Sequence, residues 1–206
     1  MIKACWGVGT NVGDTLTPFI LEYFTGHEVE WVPCTYQGKF LVCGSILEFA
    51  LPGDTILGAG HYKKEKIDLS EMNVLALRGT DSGEAPVYGD PAILLPLMYN
   101  PDIKKTKKVG YVPHLWCQDS FQEFIDVNLP WKEFVDEILE CEKIISSSLH
   151  GFIIAQAYGV EAEWILDKRI PGAEIKYRDY LTGVKDGVPK AQQDLIGVLE
   201  KIKGDL

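Results

Sequence analysis

Short apolar runs, each leading through a polar turn into a stretch with helical spacing, recur from one end of this chain to the other, and that alternation constrains its fold most. In the first half Ile2 to Trp6, Val29 to Val32, Phe40 to Cys43, Thr55 to Leu57 and Val74 to Leu77 read as strands. In the second half Val109 to Val112, Phe124 to Val127, Ile144-Ile145 and Glu163 to Leu166 read the same way. The intervening helices are predicted at Thr15 to Tyr23, which admits Pro18 near its start, as a turn at Ser45 to Ala50, at Trp131 to Cys141, and from the serine run to Gly159 at a C′ position. Parallel strands need long crossovers, and strands alternating with helices supply them. The expected fold is therefore α/β with mainly parallel sheets, arranged as two Rossmann-like halves facing a cleft. A proline-marked polar stretch from Pro96 to Lys108 is the expected linker and divides the chain into residues 1–104 and 105–206.

A formal net charge of −10 argues against nonspecific nucleic-acid binding, which depends on Lys and Arg neutralising phosphates. A small phosphorylated ligand would need a local positive pocket instead. The basic run Lys104-Lys-Thr-Lys-Lys108 reads as a solvated loop before a strand. No window reaches the roughly 18 uninterrupted apolar residues of a membrane span, and Met1-Ile-Lys-Ala-Cys-Trp6 lacks the apolar core of a secretory signal, so a soluble cytoplasmic protein is expected. Cys5, Cys34, Cys43, Cys117 and Cys141 are odd in number and scattered, without a Cys-x-x-Cys pair; reduced, mostly buried thiols and no metal site follow.

In open parallel sheets ligands bind beyond the carboxyl ends of the strands, so polar residues there carry extra weight. Five places qualify: Asn11-Val-Gly-Asp14, Gly58-Ala-Gly-His61, Arg78-Gly-Thr-Asp-Ser82, Pro113-His114, and Ser146 to His150. In the last, the serines are expected to accept from free amides at a helix start, where amides and dipole together attract phosphate or carboxylate, with His150 in the first turn. The plainer alternative is a capping turn with an ordinary imidazole. Asp14 could cap a helix starting at Thr15 or touch a ligand; Arg78 could pair with an acid or clamp an anion bidentately; His61 and His114 could be turn residues. Gly7-x-Gly lacks the full dinucleotide spacing, and the absence of Gly-x-Ser-x-Gly argues against a serine hydrolase.

These segments, in their order along the chain, resemble the polysaccharide pyruvyltransferase family, in particular its short ExoV-like branch. Asn11-Val-Gly-Asp14, Val42-Cys-Gly-Ser-Ile-Leu47, Leu57-Gly-Ala-Gly60, Leu77-Arg-Gly-Thr-Asp-Ser82, Tyr88-Gly-Asp-Pro-Ala-Ile-Leu-Leu-Pro96, Val109-Gly-Tyr-Val-Pro-His114, Ile145-Ser-Ser-Ser-Leu-His-Gly151 and Lys176-Tyr-Arg-Asp-Tyr180 carry the resemblance. It implies a GT-B-like fold, and transfer of the enolpyruvyl unit of phosphoenolpyruvate to a sugar, closed into a ketal, in exopolysaccharide or surface-glycan biosynthesis. The donor is then a co-substrate and no cofactor or metal is expected. The acceptor would be a sugar or a lipid-linked saccharide, which would bring the protein near a membrane surface; acceptor identity and oligomeric state stay open.

Other branches carry Arg-Leu-His where this chain has Ser148-Leu149-His150, so the donor's guanidinium must come from elsewhere. The resulting expectation is His150 as general acid and His114 as the group deprotonating the acceptor. Lys176, Ser147, Ser148, Leu149 and Gly151 of the C-terminal half, with Arg78 reaching in from the N-terminal half, would hold the donor. Asn11, Asp14, Gly60 and Ser82 would shape the acceptor side in the short N-terminal half. The alternatives are a GT-B-like glycosyltransferase using a nucleotide sugar and a catalytically silent glycan-binding module.

Overall fold

In a computed structural model that describes residues 1–63, 65 and 67–205, the chain begins with strand β1 (Ile2–Cys5), helix α1 (Val12–Thr25) and strands β2 (Val29–Trp31), β3 (Phe40–Leu41), β4 (Thr55–Leu57) and β5 (Asn73–Ala76). These five strands pair in the order β2-β1-β3-β4-β5, all parallel, in a register set by Ile2↔Val29, Ala4↔Phe40, Phe40↔Thr55 and Thr55↔Asn73. Because β1 has β2 on one side and β3 on the other, the winding reverses there, and the loops leaving β1 and β3 diverge to leave a crevice. A 3-10 turn at Pro91–Leu94, capped by Asp90, runs into the short helix α2 (Leu95–Met98).

The second sheet is β6 (Lys107–Val112), β7 (Cys141–Ser146) and β8 (Glu161–Trp164), parallel and in chain order, with α3 (Trp131–Leu139) and α4 (Leu149–Ala157) as crossovers. Helices α5 (Ala173–Gly183) and α6 (Val188–Asp205) finish the chain, and α6 packs back on α1 and β5 of the first sheet. The expected α/β class with parallel sheets is therefore observed. One apolar cluster runs through both, from Ile2, Leu16 and Leu57 through Ile93 to Phe134, Ile144, Ile153 and Leu199. Burying each such side chain is worth about 1.5–3 kcal/mol, so continuity between the sheets ties them firmly together.

Several local expectations need correction. Helix α1 starts at Val12 rather than Thr15, because the Asn11 side chain accepts the Gly13 amide at 3.1 Å; Asp14 is inside the first turn and is not the cap. Phe124 to Val127 is not a strand. Ile125 N donates to Tyr111 O at 2.8 Å and Val127 O accepts from Val12 N at 2.7 Å, two bonds to different partners instead of a ladder. Lys107 and Lys108 belong to β6 rather than to a loop, with Lys107 bridging Glu137 and Glu140 at 3.0 and 2.9 Å. Strand β8 lies two residues earlier than expected.

Cys5 and Cys34 form a disulfide, against the expectation of reduced thiols throughout. β1 and the segment after β2 are neighbours, and the two Cα atoms lie 5.6 Å apart, within bonding range. Cys43, Cys117 and Cys141 are free and buried. Gly159 sits at φ +70° just past α4, the left-handed C′ position its sequence predicts. Among the described residues no helix is long and apolar enough to cross a membrane.

Candidate functional site

A cavity of about 370 Å³ opens beyond the carboxyl ends of β1, β3, β6 and β7 and is lined by residues from segments that follow strands of both sheets. Gly7, Asn11 and Asp14 come from the β1–α1 segment, Gly44 and Ser45 from the loop after β3, His114 and Trp116 from the turn after β6, Ser147 to His150 from the turn after β7, and Lys176 from α5. Of the sequence-predicted residues, the structure brings together Asn11, Asp14, His114, Ser147, Ser148, Leu149, His150 and Lys176.

His150 occupies the first turn of α4 and is only 7 % exposed. Its ring lies against the first turn of α1, where a Cβ added to Gly13 would stand 1.9 Å from Nδ1, so only glycine leaves room for the imidazole. On the other side, Nε2 faces Oδ2 of the fully buried Asp90 at 3.5 Å. Neither atom makes a hydrogen bond of good geometry among the described residues, although the Cys43 thiol also faces the Asp90 carboxylate as a donor; Asp90 Oδ1 accepts the Ala92 amide at 3.0 Å. Two further buried groups surround the pair. Burial, with the Asp90 charge second, pushes the Tyr180 hydroxyl and the Cys43 thiol well up, so both stay neutral hydrogen donors.

Lys176 projects from α5 with no carboxylate at ion-pair distance among the described residues, its Nζ lying 5.8 Å from the Tyr62 ring centroid. Burial, reinforced by the nearby Arg78 charge, lowers its pKa, while Asp14 and Glu48 act in the opposite direction. The Asp14 carboxyl is pushed up by burial, against the pull of His150 and Lys176. His114 is pushed down to about 4, first by burial and then by Lys176. Its Nδ1 accepts the Trp116 amide at 3.3 Å, which places the neutral ring's proton on Nε2.

The serine turn works differently from expectation. Ser148 stands at the N-cap of α4 but its hydroxyl caps nothing. Ser146 Oγ accepts the Ser148 amide at 3.1 Å and lies 2.9 Å from Val112 O, and Ser147 Oγ accepts the His114 amide at 3.0 Å. Those two hydroxyls join the turn to the end of β6. Phe152 is the first amide of α4 with a helical acceptor, Ser148 O at 3.2 Å, so the amides of Leu149, His150 and Gly151 precede the helical ladder. Gly151 itself packs against Val112 and Ser146 behind the turn.

Arg78, Gly60 and Ser82 do not line the cavity. The guanidinium of Arg78 is fully buried, with Nε on Asp179 Oδ2 at 2.8 Å, Nη1 on Ser45 Oγ at 2.8 Å and Nη2 on His61 O at 2.5 Å. Ser82 donates its hydroxyl to the same Asp179 oxygen at 2.7 Å, and Gly60 is the surface the guanidinium lies on. This cluster stands one layer behind the cavity and anchors α5. With every arm engaged, Arg78 is held for structure rather than offered to an anion, which corrects its expected donor contact.

Sequence reasoning assigned no role to Asp90, Asp179, Tyr62 or Trp116. Asp90 was visible in Gly89-Asp90-Pro91 and Asp179 in Arg178-Asp179-Tyr180, but their partners are 60 and 101 residues away and no local spacing signals them. Trp116, 57 % exposed at the cavity mouth, packs edge-on with His114 at 5.3 Å between centroids. Among the described residues no group of three or more His, Cys, Asp or Glu side chains is placed to hold a metal.

Comparison with known proteins adds two matches. A family model described as polysaccharide pyruvyl transferase matches residues 68–165, from before β5 to just past β8. An uncharacterized protein of Acanthamoeba polyphaga mimivirus is 24% identical over 201 residues, covering 84% of this chain and 70% of that protein. No solved structure matches.

Proposed function

We propose that the chain transfers the enolpyruvyl unit of phosphoenolpyruvate to a sugar and closes it as a pyruvate ketal, a reading supported by the match of residues 68–165 to the polysaccharide pyruvyl transferase family model. The observation that carries this reading is Lys176, a partly desolvated ammonium with no carboxylate at ion-pair distance among the described residues, lining the same cavity as the start of α4 and His150. A cation held in that way is stabilised by an anion, and a donor bearing both phosphate and carboxylate satisfies ammonium and amides together. In this reading the two Rossmann-like halves are arranged as in a GT-B fold, with residues 105–206 on the donor side and residues 1–104 on the acceptor side.

The chemistry needs one proton delivered to carbon and two hydroxyl protons removed. Protonated His150 gives its proton to the methylene carbon, making an oxocarbenium-like centre that the first sugar hydroxyl attacks. Asp14, whose carboxyl burial makes more basic than usual, receives that hydroxyl's proton and stands near enough to His150 to help restore it. The phosphate then leaves, the second hydroxyl closes the ketal, and its proton departs with the phosphate. Lys176 and the α4 amides stabilise the leaving anion as its charge develops.

His114 has a different part from the one its position suggested. A ring whose pKa is held near 4 is a weak base, so it serves as a neutral Nε2–H donor to a substrate oxygen. Trp116 and Tyr62 supply aromatic surface at the mouth on which the apolar face of a sugar ring can rest.

The test is direct. Purified protein given phosphoenolpyruvate and a panel of sugars carrying neighbouring hydroxyls is expected to release phosphate and form a ketal methyl signal. Lys176→Met should raise the KM for the donor by roughly 10- to 100-fold, the cost of a charge-assisted hydrogen bond. If phosphoenolpyruvate is inert while a nucleotide sugar is consumed, the reading is wrong and the glycosyltransferase alternative stands. If neither ligand binds, the silent module does.

A further inference from the structure

Asp90 is fully buried and does not line the cavity, yet among the described residues its Oδ2 is left without a hydrogen bond. Leaving such an acceptor unmade costs more than the bond would return, so a buried carboxylate oxygen without a partner calls for a reason. The atom it faces, His150 Nε2, is equally buried and equally unpartnered, at 3.5 Å. We propose that Asp90 is the positioning residue of His150. It holds the proton of the neutral imidazole on Nε2 and so leaves Nδ1 as the nitrogen that exchanges protons with substrate.

Three features fix the direction. Asp90 Oδ1 is committed to the Ala92 amide at 3.0 Å, where it caps the turn Pro91–Leu94, so only Oδ2 is available. Helix α4, which carries His150, packs on that same turn, so the two residues are set by one contact between elements. Gly13 lets the Nδ1 edge lie against the start of α1, beside the cavity that His150 lines. An Nε2–H bond to Oδ2 satisfies both orphan atoms, whereas a proton on Nδ1 would set two lone pairs against each other inside the core. The other titratable groups around the pair leave this choice unchanged: the neutral Cys43 thiol and Tyr180 phenol can add a hydrogen to the Asp90 carboxylate but do not relieve Nε2 facing Oδ2, and Asp14 is on the cavity side.

The proposal rests on the reading of His150 as the proton donor, but its test is independent of turnover. Protein labelled with nitrogen-15 in histidine is examined by NMR at a pH where the imidazole is neutral, and the His150 signals are identified by their loss in His150→Gln. Native protein should show a protonated Nε2 and an unprotonated Nδ1. In Asp90→Asn the carbonyl oxygen still caps the turn, so the amide NH2 faces Nε2 and donates to it. The proton is then driven to Nδ1, and kcat should fall by roughly 10²-fold or more with the donor KM little changed. A protonated Nδ1 in the native protein overturns the proposal whether or not the variant folds, as does an Asn variant that keeps the native tautomer and full kcat. The expected tautomers together with no pyruvyl transfer would uphold the positioning role and refute the proposed function instead.

Discussion

Replacing Gly13 with alanine separates holding the imidazole from holding the fold. The new methyl would fall 1.9 Å from His150 Nδ1, 2.3 Å from Cγ and 2.5 Å from Cε1, and the atoms it meets belong to a ring that is 7 % exposed. Restoring the 3.4 Å at which ordinary contact begins requires the ring to move by about 1.5 Å, away from α1 and into the Asp90 side. Two effects on stability oppose each other. Overpacking costs about 1–3 kcal/mol, while alanine inside a helix gains about 1 kcal/mol over glycine. The net loss should be no more than about 2 kcal/mol, and the variant should still unfold cooperatively in urea. Catalysis should suffer far more, because a displacement of about 1 Å in a reacting group costs on the order of 10²-fold. Urea unfolding and steady-state pyruvyl transfer on the same preparation measure both. A Gly13→Ala protein with native stability and turnover within a few-fold of native would refute the claim that the start of α1 cradles a reacting imidazole.

Asp179→Ala should be the most destabilising single change near the site, by about 3–5 kcal/mol in chemical denaturation, since it strands the buried Arg78 charge and removes two acceptors from Ser82. An unfolding midpoint close to native would show that the pair carries little of the anchoring of α5. Acid stability should follow His114. Its pKa is about 4 in the folded chain against 6.5 unfolded, so below 6.5 the unfolded state takes up the proton first, and stability is lost as pH falls from there towards 4. In His114→Gln that part of the pH dependence should disappear from a series of thermal melts, and its persistence would assign the acid sensitivity to other groups.

The strand pattern was legible because burial forces apolar runs, and Thr55 to Leu57 matches β4 at both ends. Boundaries moved where a side chain decided them. Asn11 captured a helix start that periodicity placed at Thr15, and Phe124 to Val127 had the composition of a strand without a neighbour to complete a ladder. The serine turn was recognisable as a site, but its chemistry was not. Ser-Ser-Ser beside a helix start reads as capping, whereas Ser146 and Ser147 spend their hydroxyls on the end of β6, a strand 34 residues earlier. Arg78 misled for the same reason. A guanidinium after a strand fits a structural pair and an anion clamp equally well, and the deciding acid lies 101 residues further on.

What a local reading could not reach is how Lys176 comes to stand with no carboxylate at ion-pair distance among the described residues. Helix α5 is seated by three backbone approaches that tolerate no side chain. A Cβ on Gly172 would lie 1.9 Å from Tyr62 O, one on Gly79 would lie 1.6 Å from Asp179 O, and one on Gly183 would lie 2.0 Å from Arg78 O. Gly172 also takes a left-handed φ of +63° immediately before the helix, so it serves as both turn and contact. Between these approaches the Arg78–Asp179 pair fixes the helix one turn beyond Lys176. The ammonium therefore cannot relax outward to water by moving its backbone, and burial lowers its pKa instead. Rigid seating of α5 thus holds the cation ready in the cavity, which removes the ordering cost that a mobile lysine would incur when an anion arrives. If the proposed function holds, the buried pair one layer behind the cavity sets donor affinity without touching the donor.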